Sequence, residues 1–390
     1  MLSRIYRDER GMSFMFVGIG FMAFLSATTL AIDVGLFMTA RSQAQNSADG
    51  GALAGATALA ENSFTDRTPT GPAVQSAVTT AAANEVIGNT VSVGPADVQF
   101  LANPSGLQNR VQVTVYRTAA RDNALPTLMG RFFGVPQVDV TATATAEASP
   151  ANAETCVKPF TIPDRWIENS DSSGKADGPW TPDSTFDLYD NKGKPLANPD
   201  VYIGPSDAAN YTGYNADRDK GMEITLKANN STNITSSFYN PYDLPGSVGG
   251  SDYRNNIDTC NPALLHPGDT EPPENGNMVG PTKQGMDDLI AQDPNAYWDT
   301  TCNCVQGSQF GMHSPRIVII PVYDPVAFAN GAQHGKNITL TFTNFIGFFL
   351  EPLTGAGEVK GRITPVGGIM DANAGPAPAA AFPFVIRLVQ

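Results

Sequence analysis

Residues 11–60 read GMSFMFVGIGFMAFLSATTLAIDVGLFMTARSQAQNSADGGALAGATALA. From Gly11 to Ile32 the chain carries no charged side chain. As a helix, these roughly 22 residues at about 1.5 Å each would cross a hydrocarbon core of roughly 30 Å. From Asp33 onward, alanine, glycine and small polar residues dominate. The stretch therefore predicts a membrane-spanning helix that continues outside the membrane with a smooth, small-residue surface.

The positions of the basic residues predict the orientation of this helix. Arg4, Arg7 and Arg10 precede the apolar run, whereas Arg41 follows it and the next basic residue is Arg67. Cytoplasmic flanks carry the excess of Lys and Arg. We therefore expect the N-terminus in the cytoplasm and the rest of the chain outside.

A cleaved secretory signal is the alternative interpretation of the apolar run. The apolar core of a signal peptide is 7–15 residues long and ends at a small-residue cleavage site. Here the run is longer, and the small-residue tract ALAGATALA (52–60) comes only after Asp33 and Arg41. The pattern favours a retained anchor.

The small residues after the membrane segment recur on one side of the predicted helix. They stand close to i, i+4 and i+7, at Ala44, Ala48, Gly51, Ala52 and Gly55. Such a stripe lets another helix or a sheet approach closely. The alternative is a solvated alanine-rich helix, but about half of this face is apolar, which favours packing.

Asp33 and Arg41 mark the predicted end of the membrane segment. A carboxylate is tolerated near the interface if it reaches water or a partner. We expect Asp33 to extend to the interface or to pair with Arg41.

Composition excludes one class of partner. The chain of 390 residues has a formal net charge of -14, and no Lys/Arg cluster occurs in it. Nucleic-acid binding needs a basic surface. We therefore expect no nucleic-acid partner, and acidity alone names no other.

The segment after the helix predicts a small α+β module over residues 61–150. Helices are expected at 73–87 and 124–134, the second ending at Gly134, and strands at 96–101, 110–119 and 136–148. The stretch 110–119 alternates apolar and polar residues, as a half-buried strand does. The predicted order is helix, strand, strand, helix, strand, with the helices on one face of an antiparallel sheet.

Beyond a boundary near residue 150 the composition changes to loop-forming residues and strong strands. Strands are expected at 221–228, 316–324, 337–351 and 358–366, and a helix at 281–294. These favour a β-rich extracytoplasmic domain over 151–370, either a sandwich or an irregular barrel. The full division is a cytoplasmic N-terminus (1–11), the helix and its extension (12–60), the module (61–150), this domain (151–370) and a weakly ordered Pro/Ala-rich tail (371–390).

The four cysteines lie beyond the apolar run, at Cys156, Cys260, Cys302 and Cys304. Disulfides suit an exported body. Since a Cys302–Cys304 bond would close a very tight ring, we expect each of these two to pair with Cys156 or Cys260. A zinc site is the alternative, but the CNC spacing does not suit one.

Catalytic motifs are missing from the sequence, which has no G-x-S-x-G, Walker, H-E-x-x-H or C-x-x-C pattern. We expect no enzymatic activity and no cofactor. Calcium is the one metal to consider, because Asn215, Asp217 and Asp219 alternate as the first ligands of a calcium loop do. The alternative is a polar turn before the strand at 221–228.

Aromatic residues in the loops of the β-rich region suggest a second function. A sugar-binding surface could be formed by Trp166, Trp180, Tyr189, Tyr202, Tyr211 and Tyr214. Ordinary packing beneath long loops is the alternative interpretation of these side chains.

The N-terminal stretch resembles the TadE/TadG-like pilus-assembly proteins of bacterial tight-adherence (Flp, type IVc) systems. The family pattern is a basic start with RG, an apolar helix, A-[IV]-D-V-G, an arginine, and then Q-x-x-A-D-x-x-A-L-A-G-A. The matching positions are Arg10, Gly11, Ala31, Ile32, Asp33, Val34, Gly35, Arg41, Gln45, Ala48, Asp49, Ala52, Leu53, Ala54, Gly55 and Ala56.

The resemblance implies a membrane-anchored or pilin-like protein of the bacterial inner membrane. Its partners would be other Tad pilus-assembly proteins or pilin, met by a body in the periplasm or outside the cell. In pilin-like members a prepilin peptidase cuts after a glycine, which would be Gly11 here. Phe16 stands where those members carry a glutamate. A surface adhesin or carbohydrate-binding module on the same anchor is the alternative function.

Overall fold

The structure is a computed structural model. It describes residues 10–229, 231–274, 276–333, 338–352, 355 and 358–389, so the predicted cytoplasmic residues 1–9 lie outside the described residues. The chain divides into two compact units. Unit 1 comprises residues 1–58, 66–147 and 387–390, and unit 2 comprises residues 59–65 and 148–386.

Unit 1 contains one very long helix, a short helix and a small sheet. Its elements are α1 (Arg10–Glu61), α2 (Pro72–Ala83), β1 (Glu85–Val86), β2 (Asn89–Thr90), β3 (Val98–Leu101), β4 (Arg110–Arg117), β5 (Leu125–Pro126), β6 (Gln137–Val138) and β7 (Val140–Pro150). The uninterrupted 52-residue α1 confirms the predicted helix and its extension.

The sheet of unit 1 has the order β17-β7-β4-β3, where β17 is Phe384–Val389. β4 pairs antiparallel with β3 and with β7. The alternation predicted for 110–119 is confirmed, since Val111, Val113 and Val115 are buried and the residues between them are less so. Alanines of β7 stand opposite these valines, for example Ala144 opposite Val113.

Unit 2 is β-rich. Its elements are β8 (Phe160–Pro163), α3 (Ala216–Asp219), β9 (Glu223–Ala228), β10 (Phe238–Pro241), α4 (Gly249–Asp258), β11 (Thr270–Glu271), α5 (Val279–Gln292), β12 (Tyr297–Asp299), β13 (Cys304–Gln306), β14 (Ile317–Tyr323), α6 (Pro325–Gln333), β15 (Leu340–Leu350) and β16 (Val359–Thr364).

Six strands of unit 2 close into a barrel. The order β15-β14-β8-β10-β9-β16 returns to its start because β16 also pairs with β15, and β11 extends the sheet beside β15. Closure removes the unpaired edges that an open sheet would expose. Of the two predicted architectures, the irregular barrel is the one formed.

Alternate residues of the barrel strands form one continuous buried cluster. On β14 and β15, for example, Val318, Ile320, Ile346 and Phe348 belong to it. The residues facing the other way on these strands, such as Phe345, join a second buried cluster. From residue 344 onward both faces of β15 are buried, and the apolar run FIGFFL (345–350) supplies side chains to both.

The tail prediction for 371–390 is wrong over its last residues. Phe382 is buried in the barrel cluster, and its N–H donates to the side-chain oxygen of buried Asn344 at 3.0 Å. The following residues form β17. The prolines and alanines before Phe382 therefore lead to an anchored segment instead of a free end.

Candidate functional site midway along the long helix

Asp33 is the first charged residue after the apolar run, and in unit 1 its side chain is buried. The backbone N–H groups of Leu128 and Met129 donate to Oδ1 at 3.0 and 3.3 Å. Those of Met129 and Gly130 donate to Oδ2 at 3.2 and 2.6 Å. Charge-assisted bonds of this kind are among the stronger hydrogen bonds in proteins. We call Asp33 and the loop 127–135 the Asp33 junction.

The loop of the Asp33 junction is held in shape by its own contacts. The Thr127 hydroxyl donates to the Val135 carbonyl at 2.6 Å, and the Val135 N–H donates to the Gly130 carbonyl at 3.0 Å. At its base, β5 pairs antiparallel with β6. Three consecutive N–H groups are thereby left pointing at one carboxylate, a concave arrangement that suits an anion.

The helix predicted over 124–134 is wrong. Only a 3-10 turn at Gly130–Phe133 forms there, although it does end at Gly134, which takes a positive φ of 83°. In an α-helix the N–H groups of 128–130 would point along the helix axis. Here they donate instead to the carboxylate of Asp33 on α1. A contact across 95 positions of sequence thus overrides the local pattern.

Arg41 does not serve as the partner of Asp33. None of the ion pairs found among the described residues joins the two, and both oxygens of Asp33 already accept backbone N–H groups. Arg41 is exposed and lies eight residues, or about 12 Å, further along the helix. In place of a bond to Arg41 or an extension toward water, the Asp33 carboxylate accepts hydrogen bonds from the loop 127–135.

Small residues of α1 form a buried seam against the rest of unit 1. Ala44, Ala48 and Ala52 are at most 1% exposed. A methyl group added at Gly55 would lie 2.8 Å from Val111 Cγ1 and 3.1 Å from Ala77 Cβ. The predicted burial of Ala48 and Ala52 is therefore present, and Gly55 packs closely on α2 and β4 of the same unit. We call these residues, with Gly51, the α1 seam.

Polar contacts also fasten α1 to unit 1. The hydroxyl of Ser47, which is fully buried, donates to the Ala81 carbonyl at 2.8 Å near the end of α2. The Ile87 N–H donates to the Gln43 side chain at 2.8 Å. The second half of α1 is thus an integral part of a folded unit.

The first half of α1 has a different surface. Its large apolar side chains, such as Phe14, Phe21 and Leu30, are mostly exposed. Among the described residues, this is the one helix long and apolar enough to cross a membrane. Gly11 lies in its first turn, and the structure does not test prepilin cleavage there.

The cysteine pairing differs from the prediction. Cys156 bonds to Cys260, and Cys302 bonds to Cys304. The short ring closes because Asn303 adopts a left-handed φ of 53°, which turns the chain between β12 and β13 and leaves the two Cα atoms 5.2 Å apart. The prediction treated the ring as too tight and overlooked this turn.

The candidate calcium ligands have other contacts in unit 2. The Asn215 side chain accepts the Asp217 N–H at 2.9 Å, which caps α3. Buried Asp219 pairs with Arg165 and with Arg218, so cationic groups already lie against its oxygens. Among the described residues no group of three His, Cys, Asp or Glu side chains is arranged to hold a metal. The arrangement gives calcium binding no support.

The aromatic residues proposed for sugar binding are largely packed inside unit 2. Trp166 is 1% exposed and meets Trp180 edge-on, and Trp180 in turn meets fully buried Tyr214. The hydroxyls of Tyr202 and Tyr211 both donate to the buried carboxylate of Asp164, at 2.9 and 2.8 Å. Ordinary packing accounts for these five side chains. Tyr189, the sixth, is half-buried, and its hydroxyl donates to the Asn330 side chain at 2.6 Å.

Burial shifts the titration of several groups in unit 2. It raises the pKa of the Glu154 carboxyl to about 8 and that of Asp164 to about 6, where the bonded tyrosines act in the opposite direction. Burial lowers the pKa of Lys158 to about 8. Its ammonium group donates to the carbonyls of Ile257 and Thr259 at the end of α4, at 2.7 and 2.9 Å. Lys158 therefore satisfies orphan carbonyls of a helix terminus.

Residues 127–135 are the part of the Asp33 junction that the sequence pattern did not indicate. One signal was available, because Asp33 has no cationic side chain within seven residues on either side in sequence and a carboxylate at that depth requires a partner. The glycines at 130 and 134 and the flanking Pro126 also suggested a shaped loop. No sequence signal identified which loop would meet which carboxylate.

Two known protein families match the part of the chain that contains α1 and the Asp33 junction. Residues 11–58 match the family described as putative Flp pilus-assembly TadE/G-like, and residues 39–146 match that described as putative Tad-like Flp pilus-assembly. No curated protein and no solved structure matches the chain significantly. The two matches overlap on α1 and together end close to the boundary of unit 1 at residue 147.

Proposed function

We propose that the protein is a TadG-like, single-pass inner-membrane component of Flp pilus biogenesis, because residues 11–58 and 39–146 match two Flp pilus-assembly families. Its N-terminus is cytoplasmic and its two folded units are periplasmic. It acts through protein–protein contacts with other assembly proteins or with pilin.

The observation that carries this proposal is the change of surface along α1. Up to Ile32 the large apolar side chains face outward, and from Ala40 onward a small-residue face is buried in unit 1. A helix of this kind is suited to hold a folded body rigidly against a membrane, since no flexible linker separates anchor from body. The two disulfides of unit 2 support an oxidising location outside the cytoplasm.

Deletion of the gene tests the assembly role. Cells are examined for pili by electron microscopy and by recovery of pilin sheared from the surface. We expect pili to be lost on deletion and restored by the wild-type gene. A matched control exports residues 33–390 behind a cleavable signal sequence, and we expect it not to restore pili because it lacks the anchor. Unchanged pili in the deletion strain would contradict the proposed function.

The finer role, anchor or minor pilin, depends on processing at Gly11. The N-terminal sequence of the mature protein distinguishes the two. A start at Met12 would identify a processed, pilin-like subunit, whereas a chain retaining Met1 would be a permanent anchor. The absence of a glutamate at position 16 favours the permanent anchor.

The adhesin alternative has a separate test, although the packing of its aromatic residues argues against it. A glycan array is probed with the exported residues 33–390. Specific glycan binding, together with normal pili in the deletion strain, would replace the assembly role by adhesion.

A further inference from the structure

The loop of the Asp33 junction carries a row of exposed apolar side chains. Leu128, Met129, Phe132, Phe133 and Val135 are 53, 38, 71, 64 and 48% exposed. Contiguous exposed apolar residues on a soluble surface are uncommon and mark a contact with a partner or a membrane. We call residues 128–135 the apolar tip.

The position of the apolar tip along α1 is set by hydrogen bonds. Its first three N–H groups bind Asp33, the residue that directly follows the charge-free run ending at Ile32. The helix surface on both sides of Asp33 is also apolar and exposed, at Leu30, Val34 and Met38. The exposed apolar surface of the helix and that of the tip therefore occur at the same level.

With the apolar run of α1 spanning a bilayer, that level would lie at its boundary. From Ser13 to Ile32 the helix spans about 30 Å, the thickness of a hydrocarbon core. Asp33 would then lie where the acyl chains meet the headgroups. Segments that lie in this boundary bury Phe and Leu side chains and keep Lys or Arg at the headgroups. The tip offers two phenylalanines with Arg131, whose guanidinium lies 5.0 Å from the Phe132 ring centre.

The hydrogen bonds of Asp33 also suit this location. In a poorly hydrated region an ionised carboxylate and unpaired backbone N–H groups are both costly. At the Asp33 junction each satisfies the other, so the loop can approach the acyl chains without leaving these groups unpaired.

We propose that the apolar tip inserts into the headgroup and acyl boundary of the phospholipid leaflet from which α1 emerges. It is a second membrane contact beside the anchor, and Asp33 holds it at the correct depth. This inference rests on the membrane anchoring proposed above. Lipid is the occupant because the tip continues the lipid-facing surface of the helix at the point where the helix leaves the bilayer.

Site-directed spin labelling of the full chain tests this proposal. All four native cysteines lie in disulfides, so a cysteine introduced by Phe132→Cys can be labelled with a nitroxide selectively. Leu25→Cys, in the apolar run, is the lipid reference, and Ser105→Cys, in an exposed turn of unit 1, is the aqueous reference. The proteins are placed in vesicles of phosphatidylethanolamine and phosphatidylglycerol, and collisions with oxygen and with a water-soluble nickel chelate are measured.

We expect the label at 132 to resemble that at 25, with high oxygen and low nickel accessibility. If it resembles the label at 105 while 25 remains in lipid, the tip proposal fails and the anchor stands. If 25 is also aqueous, the anchoring itself fails. A label at 132 shielded from both reagents, and released when the protein is diluted in lipid, would replace the bilayer by a second copy as the occupant.

The role of Asp33 has its own readout in the same system. In the Asp33→Ala background we expect nickel accessibility at 132 to rise toward the value at 105, with no change at 25. A rise in nickel accessibility at 132 alone would show that the Asp33 carboxylate positions the apolar tip. An unchanged profile at 132 would overturn this positioning role.

Discussion

Gly55→Ala should loosen the packing of α1 against unit 1, whereas Gly50→Ala should not. A methyl group at Gly55 would lie 2.8 Å from Val111 Cγ1, 3.1 Å from Ala77 Cβ and 3.3 Å from the Ala73 carbonyl oxygen. At Gly50 the nearest atoms are side-chain atoms of Asn84 and Thr80, at 3.4 and 3.8 Å, which is ordinary contact. The two substitutions are chemically identical and lie on the same helix.

The difference between the two variants isolates the packing effect. Replacing glycine by alanine inside a helix stabilises it by about 1 kcal/mol through backbone propensity, and this gain is common to both. Forcing an extra methyl group into a filled interface costs typically 1–3 kcal/mol. We therefore expect Gly55→Ala to be less stable than Gly50→Ala by about 1–3 kcal/mol, or roughly 5- to 150-fold in an opening equilibrium.

Hydrogen exchange followed by mass spectrometry measures this difference in the full chain in detergent micelles. Peptides from β4 and α2 report on the opening of unit 1. We expect them to exchange faster in Gly55→Ala than in Gly50→Ala by the factor above, while peptides from the barrel strand β14 stay unchanged. Equal protection of β4 in the two variants would refute the close approach of α1, α2 and β4.

Two further predictions concern unit 2. Burial raises the pKa of Glu154 to about 8, above its value of 4.5 in the unfolded chain. The protonated carboxyl therefore contributes its full stability to the fold below pH 4.5, and this contribution is lost as the pH rises through 8. Between these pH values the free energy of unfolding of the wild type, measured by urea titration, should fall by about 3–5 kcal/mol relative to that of Glu154→Gln. Parallel pH profiles of the two proteins would contradict the burial of Glu154. Removing the Cys156–Cys260 bond, which links residues 104 apart, should cost about 4–5 kcal/mol, against about 1–2 for the Cys302–Cys304 bond. Equal losses, measured by tryptophan fluorescence, would contradict this difference.

The sequence pattern predicted the helices and strands whose own residues indicate how they are buried. The apolar run and its small-residue continuation became α1, and the alternation at 110–119 became β4 (Arg110–Arg117). The strands β9, β14, β15 and β16 and the helix α5 also formed where the pattern indicated. In the strands, alternation along a single element reports which of its faces is covered.

Contacts between distant parts of the chain account for what the sequence did not reveal. The loop at 127–135 is shaped by a carboxylate 95 positions earlier. Helix α4, with the weakly helical sequence GGSDYRNNID, was not predicted. It is stabilised by Lys158 at its end and by close packing on α5, where a methyl group at Gly285 would lie 2.8 Å from Ile257 Cβ. Propensity alone would not favour this helix.

The closure of the barrel and the position of β17 also depend on contacts between distant parts of the chain. β16 pairs with β9 and with β15, and neither partner can be identified from the residues of β16 alone. The tail looked weakly ordered because of its prolines and alanines, yet it leads into the buried Phe382 and a sheet strand. Composition describes local chain preference, whereas such pairings depend on where distant segments lie.

The central claim is that the helix leaving the membrane is part of the folded unit outside it, and disulfide trapping tests it most directly. A Cβ at Gly51 would lie 2.9 Å from Ala81 Cβ, so Gly51→Cys with Ala81→Cys should form a bond after a small adjustment. Asn46→Cys with Ala81→Cys is the control, since Asn46 is exposed on another face of α1.

The measurement is made on membranes of cells producing the full chain, digested with trypsin without reduction. Cleavage after Arg41, Arg67 and Arg110 separates residues 42–67 from residues 68–110. We predict that the Gly51–Ala81 pair yields these two peptides joined by a disulfide in high yield, and the Asn46–Ala81 pair does not. Equal, low yields from both pairs would contradict the docking of α1 on unit 1.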